Sequence, residues 1–276
     1  MTSLGYRIVT ALVLISAFVA LVLWLETDTL RWILAVVALA GAWEWARLCG
    51  LKTPLGLALY MGGSAVGCLM LGVLESRGAA LWPAAGAALF WLAMIFVLGA
   101  RRSRPVAQAT HAGSAVLAAG PVLVGIAWMS LVAVHRFTPD GALAALFLLA
   151  LTSVADSGAY FVGRAIGRHK LAPGISPGKT LEGVAGGLLA VVLVLALPAV
   201  LFRQPVLPVA GFLLLCVVVT LVSVTGDLFE SLVKRRHGAK DSGTLLPGHG
   251  GVLDRIDSLT AAAPVFYTGL ALLEFA

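Results

Sequence analysis

The chain has 276 residues, of which 60% are hydrophobic and only 12% charged, and its mean hydropathy is +1.01. Soluble domains have about 25% charged residues, so this composition excludes a soluble globular protein and is typical of a membrane protein. Cys49, Cys68 and Cys216 lack the spacing of a metal or redox site and are too few for a disulfide scaffold. The net charge of +6 does not require nucleic acid as a partner, because membrane proteins carry excess Lys and Arg in cytoplasmic loops.

Nine apolar stretches are long enough, or nearly long enough, to cross a bilayer, which takes about 20 apolar residues. In chain order they cover approximately 7–25, 30–46, 55–74, 79–99, 113–134, 141–163, 183–202, 206–226 and 257–275. The first is too long for a signal peptide and ends without a small-residue cleavage pattern. Since no strand-like alternation is evident, the sequence predicts an all-α integral membrane protein, a polytopic bundle of about nine transmembrane helices.

Basic residues are divided unequally between the two sides that nine spans define. Fifteen of the 19 Lys and Arg residues fall on the side of the N-terminus, and the other side holds Arg31, Arg77, Arg136 and Arg203. Cytoplasmic loops carry the excess of basic residues in membrane proteins. The sequence therefore predicts a cytoplasmic N-terminus and an exterior C-terminus.

The second span contains a glutamate, Glu44, between Trp43 and Trp45. Tryptophans are enriched where a membrane meets water, which predicts that Glu44 lies near the lipid headgroups. Elsewhere, two G-x-x-x-G pairs would let helices approach closely. We expect them to serve packing inside the bundle rather than a dimer interface; they are Gly63 with Gly67 and Gly183 with Gly187.

Half of the charged residues lie in two windows, Asp156–Glu182 and Asp227–Asp257, which together make up about a fifth of the chain. Both windows map to the predicted cytoplasmic side. The second is about 30 residues long, which exceeds what a simple connection between helices requires. This concentration indicates a functional site.

The second window begins with polar residues at helical spacing. Asp227, Glu230, Ser231 and Lys234 fall at i, i+3, i+4 and i+7, so they line one face of a helix that continues span eight, with Arg235 beside them. Such a face is also compatible with a solvated, salt-bridged helix end. Because a carboxylate directly after an apolar run is costly and usually faces a partner, metal or cavity, we favour a functional role for Asp227.

Two further carboxylates, Asp254 and Asp257, open the last span and are three residues apart on one helical face. They repel each other unless a cation or proton lies between them, and their oxygens suit Mg²⁺. Acidic residues also stabilise any helix N-terminus. Asp227, at the end of the preceding span, is able to complete the same cluster, which favours a cation site.

The loop between these groups contains Lys240 and Asp241 and then a glycine-rich stretch around His249. Successive glycines let backbone N–H groups turn toward an anion, so the loop resembles a phosphate-binding nest. We interpret His249 as a loop residue in preference to an acid or base.

The first window offers a second anion site and an intramembrane carboxylate. Ser176, Lys179 and Thr180 precede span seven, where a helix N-terminus favours anions. The stretch is not a Walker loop, because Pro173 stands where that motif requires glycine. Asp156 lies inside span six, so we expect it to point into the bundle and to border a polar cavity.

These motifs together resemble the signature of the phosphatidate cytidylyltransferases (CDP-diacylglycerol synthases) of bacteria, supported by the segments 156–163, 169–173 and 176–180. The matching positions are Ser231, Lys234, Arg235, Lys240, Asp241, Gly243, Leu246, Pro247, His249, Gly250, Gly251, Asp254, Arg255 and Asp257. The resemblance implies a single membrane-embedded catalytic domain over 1–276, with N-terminal spans in 1–135 and a catalytic half in 141–276 that holds the signature at 231–257. It also implies a cytoplasmic-facing polar cavity and a homodimer in the bacterial inner membrane.

The implied reaction is the transfer of CMP from CTP to phosphatidic acid, giving CDP-diacylglycerol and pyrophosphate for phospholipid biosynthesis. The implied cofactor is Mg²⁺, with a second cation such as K⁺ left open. We expect Asp227, Asp254 and Asp257 to bind metal and, with Lys234, to be catalytic. The expected substrate-binding residues are Asp156, Ser176, Lys179, Thr180, Ser231, Arg235, Lys240, Asp241, His249 and Arg255.

Two other functions share parts of this pattern. A CTP-dependent lipid kinase uses the same kinds of substrate but transfers the γ-phosphate. A secondary transporter also contains intramembrane carboxylates such as Asp156, but its charged groups would not be expected to cluster on one face. The clustering therefore favours the cytidylyltransferase.

Overall fold

The computed structural model describes residues 16–107, 113–137, 140–197, 208–246 and 250–274. After a helical stretch at 16–24, these described residues form eight helices, with one hairpin and a π-helical segment, Val192–Ala196, directly after α6. The elements are α1 (Thr27–Leu48), α2 (Pro54–Ser76), α3 (Leu81–Arg101), α4 (Ser114–Phe137), α5 (Gly141–Ile166), β1 (Lys170–Ala172), β2 (Ser176–Thr180), α6 (Leu181–Val191), α7 (Val209–Arg236) and α8 (Leu253–Glu274).

Six of these helices, α2, α3, α4, α5, α7 and α8, are long and apolar enough to cross a membrane by length and composition. The predicted class, an all-α polytopic membrane protein, is therefore confirmed. The second predicted span corresponds to the helix α1 and the seventh to α6 with its π-helical segment, neither of which belongs to that set of six. Residues 7–15 of the first predicted span lie outside the described residues, and 16–24 are helical.

One small antiparallel hairpin interrupts the helical fold, whereas the sequence predicted no strand. The strands β1 and β2 pair Lys170 with Thr180 and Ala172 with Ser176. The hairpin is short and rich in proline and glycine, so it lacks the alternation of apolar and polar residues by which strands are predicted. It leads directly into α6, whose first turn Thr180 caps by accepting a hydrogen bond from the N–H of Gly183 at 3.0 Å.

The two G-x-x-x-G pairs differ in what they contact. A Cβ added at Gly183 or Gly187 would lie 2.8 or 2.7 Å from a backbone oxygen of α5, so these glycines let α5 and α6 pack closely, as predicted. In the described part of the chain, nothing lies within 4 Å of a Cβ added at Gly63 or Gly67 of α2. The prediction that Gly63 and Gly67 serve packing inside the bundle is therefore wrong for the described residues, where their face is open.

This contrast gives a prediction with an internal control. We expect Gly187→Ala to destabilise the protein by about 1–3 kcal/mol, because the new methyl group meets the carbonyl oxygen of Ala155. Gly67→Ala should cost nothing, since its methyl group meets open space and alanine favours a helix. Thermal unfolding of both variants in the same detergent measures the difference. Equal melting temperatures would contradict the close packing of α5 against α6.

At one end of the bundle, ion pairs around one buried carboxylate join α1, α2 and α4. Glu75 is buried and accepts a hydrogen bond from Nε of Arg136 at 2.7 Å, while NH1 of Arg31 lies 3.6 Å from its other oxygen. Arg136 also donates to Asp28 at 2.6 Å. Two of the four arginines on the predicted exterior side are therefore paired with carboxylates of neighbouring helices.

At its other end, α1 is held by aromatic and hydrogen-bond contacts. Trp45 stacks on Phe229 of α7 with ring centroids 6.1 Å apart, and its indole N–H donates to the carbonyl of Val116 in α4. Phe229 also makes an edge contact with Trp91 of α3. These contacts bring the end of the first described long helix against the polar part of α7.

Candidate active site

The polar face predicted at the end of α7 is confirmed as continuous helix. Ser231 donates its hydroxyl hydrogen to Oδ1 of Asp227 at 3.2 Å, and Nζ of Lys234 donates to Oε1 of Glu230 at 3.1 Å. Basic residues in the last turn are favourable at a helix C-terminus. The helix ends just before Gly238, whose φ of 69° suits a residue without a side chain.

Lys234 lies at the centre of a buried ion cluster. Its ammonium contacts Glu230 at 3.1 Å and Asp254 of α8 at 2.7 Å, and both Lys234 and Glu230 are buried. A buried cation between two carboxylates holds them in place, since removing one partner of a buried pair leaves an uncompensated charge. The structure thus joins the ends of α7 and α8 through Lys234.

Asp254 also organises the loop that connects α7 to α8. Both of its oxygens accept hydrogen bonds from backbone N–H groups, from Ser242 at 3.0 and 3.2 Å and from Gly251 at 2.9 Å. The sequence predicted that N–H groups of this loop cradle a phosphate; these two donate instead to a carboxylate of the protein. Charge-assisted bonds of this kind give the loop a defined conformation.

A second group of charges lies next to the first and joins the two charged windows. Nζ of Lys179, on β2, lies 2.5 Å from Oδ2 of Asp227. Asp257 repels Asp227 electrostatically and is attracted by Lys179. Asp156 is exposed and interacts electrostatically with Lys179 and Asp227, so it faces this group and not the packed core of the bundle.

The carboxylates of the site differ in how freely they offer oxygens to a divalent cation. Within the described ranges, no three His, Cys, Asp or Glu side chains converge as a metal site. Asp227 and Asp257 are nevertheless neighbouring carboxylates with like charge, and hard oxygen donors of this kind suit Mg²⁺. Asp254 has both oxygens engaged by Lys234 and the loop. Asp227 likewise has both oxygens engaged, by Ser231 and Lys179, so Asp227 and Asp254 would each have to exchange present contacts to bind a cation. Oδ1 of Asp257 accepts a hydrogen bond from the N–H of Ser258.

Of the other residues predicted in the first window, Thr180 is buried and its hydroxyl caps α6, while Ser176 pairs within the hairpin. At the base of the hairpin, Glu182 accepts hydrogen bonds from the backbone N–H groups of Arg168 and His169 and contacts the His169 ring at 2.5 Å. Hydrogen bonds from its own backbone N–H and from His169 lower the pKa of Glu182 to about 2. Lys179 thus connects the first window to the polar face of α7 through Asp227.

The remaining predicted residues lie around the loop. Arg235 is exposed and donates to the carbonyl of Ala239 at 3.2 Å. Lys240, Asp241 and Arg255 are also exposed. The prediction for His249 lies outside the described residues.

One residue of the site was not predicted. Glu44 of α1 is completely buried, and its Oε2 accepts hydrogen bonds from the Ser242 hydroxyl at 3.1 Å and from the N–H of Leu253 at 2.9 Å. The loop covers this side chain, and its proximity to the lipid headgroups stays a prediction. A charged residue inside an apolar span was the available signal.

Comparison with known proteins agrees with the signature in the sequence. The model of the cytidylyltransferase family matches residues 5–273. A phosphatidate cytidylyltransferase of Haemophilus influenzae is 37% identical over 289 aligned residues, covering 95% of this chain and 97% of that protein. One of Pseudomonas aeruginosa is 42% identical over 267 residues, covering 95% of each chain. One of Bacillus subtilis is 49% identical over 119 residues, covering 43% of this chain and 44% of that protein.

Proposed function

Because the chain belongs to the cytidylyltransferase family, we propose that the ion cluster between β2, α7 and α8 is the site of its reaction. The activity is that of a phosphatidate cytidylyltransferase, which transfers CMP from CTP to phosphatidic acid and yields CDP-diacylglycerol and pyrophosphate. One observation carries the assignment of the site: the contact of 2.5 Å between Lys179 and Asp227, which brings the two charged windows to one place.

The reaction is a displacement at phosphorus. An ionised phosphate oxygen of phosphatidate attacks the α-phosphorus of CTP, and the new P–O bond forms as the bond to the bridging oxygen of the β-phosphate breaks. Pyrophosphate leaves with that electron pair. Since the attacking phosphate is ionised at neutral pH, the step needs no general base. The main barrier is the repulsion between two anions, which fixed positive charge lowers.

The two lysines of the site would have different tasks in this reaction. The side chain of Lys179 is 24% exposed, which leaves it accessible to a polyanionic substrate, and its present partner Asp227 is exposed to a similar extent. Lys234 is buried between Glu230 and Asp254. Lys179 would therefore contact phosphate oxygens, while Lys234 would hold the carboxylates and loop in position.

Mg²⁺ would be held by Asp227 and Asp257, with Asp254 as the third predicted ligand and a second cation such as K⁺ at the same carboxylates. When bound, it would neutralise charge on the triphosphate. Ser231 supports this assignment by donating to Asp227, which orients that carboxylate. Arg235, Lys240 and Arg255, which are exposed around the loop, would add positive charge for the nucleotide.

The proposed setting is the bacterial inner membrane, with the N-terminus and the site cytoplasmic and the C-terminus exterior. Support comes from the charge distribution, because fifteen of 19 basic residues fall on one side of the spans, the side of both charged windows. This orientation gives soluble CTP and membrane-bound phosphatidate access to one interface. We also propose a homodimer, which chemical cross-linking in native membranes would test.

Product analysis with labelled CTP tests the reaction. Purified protein incubated with phosphatidate and Mg²⁺ should transfer the label of [α-³²P]CTP into lipid, while the label of [γ-³²P]CTP should appear in pyrophosphate. A lipid kinase would give the reverse distribution, with γ label in the lipid. Omission of phosphatidate serves as the control, since no labelled lipid should then form. Lipid labelled only from the γ position would overturn the proposed function.

A further inference from the structure

Glu44 of α1 connects both ends of the loop between α7 and α8. Its Oε2 accepts hydrogen bonds from the Ser242 hydroxyl at 3.1 Å and from the N–H of Leu253 at 2.9 Å. A Cβ added at Gly243 or Gly251 would lie 2.4 Å from one of its two carboxylate oxygens. The loop therefore closes directly on this carboxylate, and both glycines are needed for the close approach.

The loop segments that touch Glu44 also supply the amides that hold Asp254. The N–H groups of Ser242 and Gly251 donate to Asp254 at 3.0 and 2.9 Å, and Asp254 in turn binds Lys234. Displacement of the loop from Glu44 would therefore release two hydrogen bonds at Asp254. The carboxylate of α1 acts on the ion cluster through this loop without reaching the cluster itself.

The burial of Glu44 has a cost that its contacts must offset. No ion pair joins it to a cation among the residues that the structure describes, and Oε1 is buried there without a hydrogen-bond partner. Burying a carboxylate without a cation is unfavourable. Among the described residues, Oε2 accepts hydrogen bonds from Ser242 of the loop and from Leu253, the first residue of α8. These contacts hold both described ends of the loop.

We propose that Glu44 is a positioning residue for the cytidylyl transfer: through the acceptor Oε2 it holds the described ends of the loop, 242–246 and 250–253, in the conformation that binds CTP. The inference rests on the proposed function for its link to CTP. It assigns a role in the site to the N-terminal spans, which the sequence analysis left outside the catalytic half. This role requires a hydrogen-bond acceptor at the position of Oε2 and does not require the negative charge of the carboxylate.

Kinetics of two substitutions at Glu44 test this role. We expect Glu44→Ala to raise the KM for CTP about tenfold. If the loop adopts its CTP-binding conformation only about a tenth of the time, its apparent affinity for CTP falls about tenfold. The kcat at saturating CTP should stay within about threefold, since bound nucleotide orders the loop. Glu44→Gln should keep a KM close to the original value, because an amide oxygen at the position of Oε2 accepts both hydrogen bonds.

A second readout does not depend on activity. Amide hydrogen exchange of the ligand-free protein should be at least tenfold faster in the 242–251 segment of Glu44→Ala and unchanged in Glu44→Gln. Ser242→Ala, which removes one of the two donors, should give an intermediate exchange rate. If Glu44→Ala does not fold, the exchange rate of Ser242→Ala still measures the effect of loosening the contact with Glu44.

The matched control is Glu75→Ala, which removes another buried carboxylate at the opposite end of the bundle. It should lower the melting temperature but leave the KM for CTP and the exchange of the loop unchanged. Loop exchange that is equal in Glu44→Ala and the unsubstituted protein would overturn the inference. So would equal defects in Glu44→Ala and Glu44→Gln, since the charge would then be essential. If no variant, including the original protein, transfers cytidylyl groups, the proposed function fails, whereas the exchange result still decides whether Glu44 anchors the loop.

Discussion

Replacement of Asp257 by asparagine is expected to lower CTP-dependent turnover at least about 1000-fold, which corresponds to roughly 4 kcal/mol in the activation barrier. Asp257 and Asp227 are carboxylates that repel each other electrostatically, and both are proposed cation ligands. The substitution removes one charged ligand while it keeps the size of the side chain. The initial rate of CDP-diacylglycerol formation at saturating Mg²⁺ and CTP measures the effect.

The folded state should tolerate this change. Oδ1 of Asp257 accepts a hydrogen bond from the N–H of Ser258 at 2.7 Å, and an asparagine oxygen is able to accept the same bond. Loss of one of two repelling charges also leaves the ligand-free protein no less stable. Asp28→Asn, at the exposed end of α1, is the control and should retain full turnover. Turnover of Asp257→Asn within threefold of the original would remove Asp257 from the cation site.

The second large effect is expected at Lys179. Lys179→Met should lower kcat/KM for CTP about 100- to 1000-fold, the usual cost of removing one charged or hydrogen-bonding group that stabilises a transition state. The methionine keeps most of the length of the side chain but removes the cation that contacts Asp227 at 2.5 Å. Steady-state kinetics over a range of CTP concentrations measures the loss.

A second lysine of the same hairpin supplies the matched control. Lys170 lies on β1 and is exposed. Lys170→Met removes the same charge from the same hairpin, so it should leave kcat/KM nearly unchanged. Losses of similar size in both variants would show that the overall charge of the hairpin, and not the contact between Lys179 and Asp227, supports the reaction.

The parts of the site that depend on local sequence were predicted well. The shared face of Asp227, Ser231 and Lys234 follows from helical spacing within eight residues, and the structure has the expected hydrogen bonds along it. The fold class, an all-α membrane protein, follows from the length and hydropathy of the apolar stretches. Both features need no knowledge of how distant segments meet.

Contacts between distant segments were not predictable in the same way. The pairing of Lys179 with Asp227 depends on how the hairpin folds over α7, and the sequence indicated only that both windows share a side of the membrane. Glu44 was assigned to the headgroups because its tryptophan neighbours are typical of the interface. Hydropathy does not indicate that a loop 198 residues further along the chain covers it.

The helix α1 connects polar groups at the two ends of the bundle. Asp28 is bound to Arg136 at one end, and Glu44 holds the loop at the other, about 24 Å away along the helix. The pair of Asp28 with Arg136 is largely exposed and contributes little stability, whereas Glu44 is completely buried. The two ends of one helix therefore differ in their tolerance of substitution, and only the end that carries Glu44 is expected to affect the catalytic half.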